Sequence, residues 1–169
     1  AGEMKSRVEQ LLGNSVPRLW ITTFHSSCVR ILRQHIDLLG YKRDFSIYDD
    51  DDQTRVIRQI LKEMKYDAKQ WNPRAILSKI SQAKSAMMSP EDIQGSDYQV
   101  FYQLVAKVFE RYSVILKQNN AVDFDDLLLL TVELLEKSPT VLGYYQNRFK
   151  HILIDEYQDT NRVQYRMLN

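Results

Sequence analysis

Two adjacent carboxylates, Asp155 and Glu156, follow the apolar run Ile152-Leu153-Ile154. An apolar strand ending in Asp-Glu sets both acids at the carboxyl edge of a sheet, where α/β folds bind ligands. Such a pair divides its work in nucleotide hydrolysis. The first acid holds a Mg²⁺ that bridges two phosphates, and the second orients and polarises the attacking water. Mg²⁺ prefers oxygen ligands, and phosphoryl transfer asks the protein mainly for positioning and charge neutralisation. The same two acids could instead cap the helix that follows, so on these residues alone both readings stay open.

Other groupings carry less chemistry. Asp123, Asp125 and Asp126 stand ahead of an apolar helix and read as caps rather than metal ligands. Asp49 to Asp52 read the same way, because a calcium loop would need Gly at its sixth position and Glu at its twelfth. Ser81-Gln82-Ala83-Lys84 matches a Ser-x-x-Lys nucleophile pattern, but its companion motifs are absent and the match is chance. His25, His35 and His151 lack metal-ligand spacing. Lys79, Lys84 and Lys107 suit either phosphate contact or a solvated helix face. Phe24 and His25 end an apolar run; they are either core and cap, or a stacking surface for bases. Ser26 reads as the N-cap of the next helix.

The elements that would position these groups are mostly helical. Five Gly and four Pro leave few breakers. Periodicity predicts helices over 3–12, 26–39, from Asp49 through Met64, from Pro73 through Met87, from Phe101 to about Asn119, and over 125–135. Ser138-Pro139 and Thr160-Asn161 each open one more, and Gly13-Asn14 reads as a stop. Leu19 to Phe24 and His151 to Asp155 read as short buried strands near the two ends. A two-stranded sheet is not stable by itself in water, so these strands imply a larger α/β sheet with the helical middle inserted between its strands.

Composition excludes several classes. The 169 residues hold 44% hydrophobic and 27% charged side chains, enough for a core and a soluble surface. Lys+Arg 23 against Asp+Glu 22 gives +1, so net charge is silent about nucleic acid. The one cysteine, Cys28, rules out an intrachain disulfide and points to a reducing, cytoplasmic setting. No apolar run approaches the roughly 20 residues needed to span a bilayer. The non-Met start and the uncapped end suggest a piece of a longer protein.

The longer string Asp155-Glu156-Tyr157-Gln158-Asp159-Thr160-Asn161 resembles the Walker B element, motif II, of the UvrD/Rep/PcrA branch of superfamily 1 DNA helicases. Thr22-Thr23-Phe24-His25-Ser26 resembles the motif lining that family's single-stranded DNA path. Asp123-Phe124-Asp125-Asp126-Leu127 resembles the element at the return from its helical insertion, and the segment 2–8 the helix after its motif Ia. The resemblance runs in order along the whole chain. It implies a mainly α fold, with a helical insertion subdomain (1B) flanked by pieces of an α/β RecA-like P-loop NTPase domain (1A). Residues 1–43 would belong to 1A, 44–121 to 1B, and 122–169 to 1A again.

The resemblance implies a fragment of an ATP-dependent 3′–5′ DNA helicase that translocates on single strands and unwinds duplex DNA in repair or replication. Its cofactors would be ATP and Mg²⁺. Asp155 would bind Mg²⁺ and nucleotide, Glu156 would be the catalytic base beside it, and Gln158 would touch the nucleotide. Thr23, Phe24 and His25 would contact DNA. Implied partners are single-stranded and duplex DNA, the remainder of the helicase chain, and repair or transcription proteins. One departure matters: no Gly-x-x-x-x-Gly-Lys-[Ser/Thr] occurs, so the phosphate loop is expected upstream and the second motor domain downstream. These residues alone are then expected not to hydrolyse ATP. The rivals are the motor segment of an AddA/RecB-like helicase–nuclease, and a non-enzymatic helical interaction module.

Overall fold

The computed structural model describes residues 2–12, 19–95 and 99–169. Their order is α1 (Gly2–Leu12), α2 (Phe24–His35), β1 (Ser46–Ile47), α3 (Asp50–Glu63), α4 (Pro73–Ser85), α5 (Gln99–Gln118), β2 (Ala121–Val122), α6 (Phe124–Lys137), α7 (Pro139–Arg148) and α8 (Arg162–Leu168). Short 3-10 turns cover Ile36–Leu39, Glu91–Gly95 and Tyr157–Asp159. The mainly helical character matches the sequence. The Gly13-Asn14 stop lies outside the described residues.

Helix starts follow local chemistry. The first amides of a helix lack partners, and a short polar side chain supplies one. Asp49 accepts from the amides of Asp51 (3.0 Å) and Asp52 (2.9 Å), which makes the acidic run a cap. Asn72 caps α4 ahead of Pro73, Ser138 caps α7 ahead of Pro139, and Asn161 forms a capping box with Gln164 on α8. For α2 the cap is Thr23, not Ser26: Thr23 Oγ1 accepts the Ser26 amide at 3.3 Å. The helix therefore begins at Phe24, earlier than its apolar periodicity indicates.

The apolar faces build two cores. One joins α3, α4 and α5 through Ile57, Ile60, Ile76, Ile80, Val105 and Leu116. The other joins α2, α6, α7 and α8 through Cys28, Leu32, Leu127, Val132, Tyr145 and Val163. Fully burying a Leu or Ile stabilises by roughly 1.5–3 kcal/mol, so each core outweighs any single cap. Between them runs a minimal parallel ladder, β1 with β2, pairing Ser46 with Ala121 and Ile47 with Val122. Side chains alternate across a strand, and here Ala121 enters the first core while Val122 enters the second.

The two terminal strands are a correction. Residues 19–23 and 151–154 adopt no regular element and join no sheet among the described residues. A strand is completed by a neighbour's ladder, and without one the apolar side chains gain no cover. Leu153 is accordingly 97% exposed.

Candidate functional site

Asp155 and Glu156 sit in a tight turn between residues 151–154 and α8. Asp155 Oδ1 accepts the Glu156 amide at 3.1 Å. Glu156 has φ 51° and ψ 43°, the left-handed region that costs a non-glycine residue free energy. Its carbonyl accepts the Asp159 amide at 2.9 Å, and Thr160 Oγ1 donates to the Tyr157 carbonyl at 2.8 Å, closing the turn. Both acids are exposed, as is Gln158 within the turn. The turn is anchored from behind by α8: Val163 is buried against the α6 core, and Arg166 Nε meets Glu136 at 2.7 Å.

Among the described residues no group of three or more His, Cys, Asp and Glu side chains is gathered to cage a metal. Mg²⁺ keeps its waters and needs only one or two carboxylates beside substrate phosphates. An exposed Asp155, a hard oxygen donor at the head of the turn, fits that requirement.

Thr23, Phe24 and His25 form the first turn of α2, which packs on α6. Thr23 is committed as the cap, and Phe24 is half-buried against the second core. His25 is half-buried, with its ring edge-to-face on Phe124 at 6.0 Å. Phe124 is 52% exposed. The exposed aromatic beside this turn is therefore Phe124 rather than Phe24. Acid turn and aromatic turn ride on separate elements, α8 and α2, both backed by α6.

Under this surface lies a buried ionic cluster. Lys84 is 2% exposed, which overturns its reading as a phosphate contact or a solvated face. Its Nζ stands 2.6 Å from Asp123 Oδ2 and 2.6 Å from Asp126 Oδ1. Tyr112 donates its hydroxyl to Asp123 Oδ2 at 3.0 Å. Asp123 and Asp126 are also the capping box of α6, so the capping reading holds while missing the lysine. Burial opposes the Lys84 charge, but Asp126 and Asp123 outweigh it and hold the ammonium above its ordinary range. Burial pushes Asp126 up despite the lysine, and Asp123 adds like-charge repulsion. Burial likewise raises Asp125, against a hydrogen bond from Ser81.

Sequence reasoning misread Lys84 and gave Tyr112 and Phe124 no role at the site. A signal was present for the first: Lys84 is four residues beyond Ile80 and eight beyond Ile76, on the stripe that α4 buries. A lysine in that register needs buried acids, and Asp123-x-x-Asp126 supplies them.

The pattern of the UvrD/REP helicase N-terminal domain matches residues 1–169. The chain is 47% identical over 168 residues to the ATP-dependent DNA helicase PcrA of Bacillus subtilis (strain 168), covering 99% of this chain and 23% of that protein. It is 45% identical over 168 residues to the PcrA helicases of Staphylococcus epidermidis (strain ATCC 12228 / FDA PCI 1200) and Staphylococcus aureus (strain COL). Both again share 99% of this chain and 23% of the relative, so the chain spans less than a quarter of the curated relatives it matches.

Proposed function

This chain belongs to the UvrD/REP helicase N-terminal domain family, and on that premise we propose that it serves the motor of an ATP-dependent 3′–5′ DNA helicase of the PcrA kind. The observation that carries the reading is the family match along residues 1–169, joined to an exposed Asp-Glu pair in a turn anchored by α8. Mg²⁺ bound with ATP would supply charge neutralisation at the phosphates. Asp155 offers it a carboxylate oxygen. Glu156 orients the attacking water and accepts its proton at a carboxylate oxygen, and Gln158 borders the nucleotide. Glu156 holds its place in the turn with a left-handed backbone, and both acids there are open to solvent, which supports a role for the pair in binding.

Thr23, Phe24 and His25 meet the single strand, whose bases stack on aromatic faces and whose phosphates take polar contacts. Residues 44–121 act as the helical insertion 1B, between 1A pieces at 1–43 and 122–169. The split of the two cores between Ala121 and Val122, and the β1–β2 ladder at that seam, support this division. Strands of 1A would cover Leu153 and complete the ladder that 151–154 lacks.

The test is Glu156→Gln in the complete gene product. ATP binding should persist while DNA-stimulated turnover falls by about 10²–10⁴, the range for loss of a general base. Turnover within a few-fold of the parent would refute the assignment.

A further inference from the structure

Charge, as well as the ladder, ties the two cores together. Lys84 lies in the last turn of α4, on the α3–α5 side, yet both of its carboxylate partners belong to the start of α6. Its ammonium has almost no water and must find fixed acceptors. Those acceptors already close the capping box. Asp123 Oδ1 takes the Asp126 amide at 2.8 Å, and Asp126 Oδ2 takes the Asp123 amide at 3.2 Å. Each acid then gives its other oxygen to Nζ, and Tyr112 of α5 adds its hydroxyl to Asp123. A cap needs only the helix amides; no lysine is required for it. The orientation of the first turn of α6 is thus dictated from α4 and α5.

That turn carries Phe124 and Asp125. Phe124 meets the His25 ring, and Asp125 lines one hollow with Ser81, three residues before Lys84 on α4. We propose that Lys84 is a positioning residue for the single-strand face: it fixes the first turn of α6 so that Phe124 stands against His25. The placement of the α3–α5 unit is thereby passed to the turn that holds the strand, though Lys84 touches no nucleic acid. The inference rests on the reading of Thr23, Phe24 and His25 as that face.

The test uses the complete gene product and the oligonucleotide concentration giving half-maximal ATPase stimulation by single-stranded DNA. Small misplacements of a binding group can cost up to about 10²-fold, and Lys84→Met should raise this concentration about tenfold with the saturated rate within about twofold of the parent. Ile60→Ala, a truncation in the α3–α5 core that removes none of the cluster's charges or hydrogen bonds, is the control for mere destabilisation and should leave half-saturation unchanged. Tyr112→Phe keeps the ring and loses one donor to Asp123; it should raise half-saturation about threefold, and it decides the matter if the Met variant does not fold. An unchanged half-saturation in Lys84→Met, or in Tyr112→Phe where that variant decides, or an equal rise in Ile60→Ala, overturns the proposal. His25→Ala separates the two levels. If it weakens the DNA response while Lys84→Met does not, only the positioning role falls; if His25→Ala has no effect, the face and the inference fall together.

Discussion

Replacing Lys84 with Met tests the buried cluster by stability alone. The parent holds one ammonium against two carboxylates, a local balance of −1, with Asp123 2% and Asp126 18% exposed. Removing the cation leaves two acids sharing one desolvated site, and breaking a buried pair in this way costs about 3–5 kcal/mol. One acid can escape by binding a proton, and the sign of the pH effect follows. An acid whose folded pKa is raised binds more protons folded than unfolded, so its contribution to stability falls as pH rises from the unfolded to the folded value. For Asp126 in the parent that window runs from the ordinary 3.8 to about 6. Without Lys84 the window moves higher, and the variant should lose about 1.4 kcal/mol per pH unit relative to the parent wherever one extra proton is held folded. Urea unfolding of both chains, followed by circular dichroism at pH 5 and pH 7.5, measures this. Asp126→Asn is the counterpart: it leaves a one-to-one Lys84–Asp123 pair and keeps an oxygen for the Asp123 amide, so its cost should stay within about 1 kcal/mol. A deficit in Lys84→Met below about 1 kcal/mol at pH 7.5, or one equal at both pH values, would refute the argument.

Three smaller outcomes follow from local geometry. Thr23→Ala removes the cap of α2 and should cost about 1 kcal/mol in the same unfolding assay, with Thr23→Ser recovering most of it. Gly40 holds φ 79°, and no atom stands within 4 Å of where a Cβ would sit. Gly40→Ala should therefore cost about 1 kcal/mol through backbone strain alone, read as a lower urea midpoint with unchanged slope. Burial pushes the Cys28 thiol up to about 11, so at pH 8 a thiol reagent should label it only at the rate of unfolding, and prompt labelling of the native chain would contradict its burial.

Features written into neighbouring residues are the legible ones. Asp49, Pro73, Ser138 and Asn161 mark helix starts because a cap involves amides only two or three residues away. The acidic pair announces itself through the string that follows it. The runs at 19–24 and 151–155 suggest strands that the structure leaves unpaired, because hydrophobic, β-branched residues describe a strand's faces but not its partner, and partnership is non-local. Phe24, open in the sequence between core and stacking surface, is half-buried, while Phe124 beside it is exposed, because which of two rings is covered depends on how α2 crosses α6. Lys84 is hidden because its environment comes from α5 and α6, and only its place on the Ile76–Ile80 stripe hints at it.

The passage from Ala121 to Val122 has a mechanical meaning. One peptide bond separates a side chain held by one bundle from a side chain held by the other, and the next residue is already the cap of α6. The α3–α5 bundle thus reaches the root of α6 within a single residue step, and α6 is the element against which both the acid turn and the aromatic turn pack.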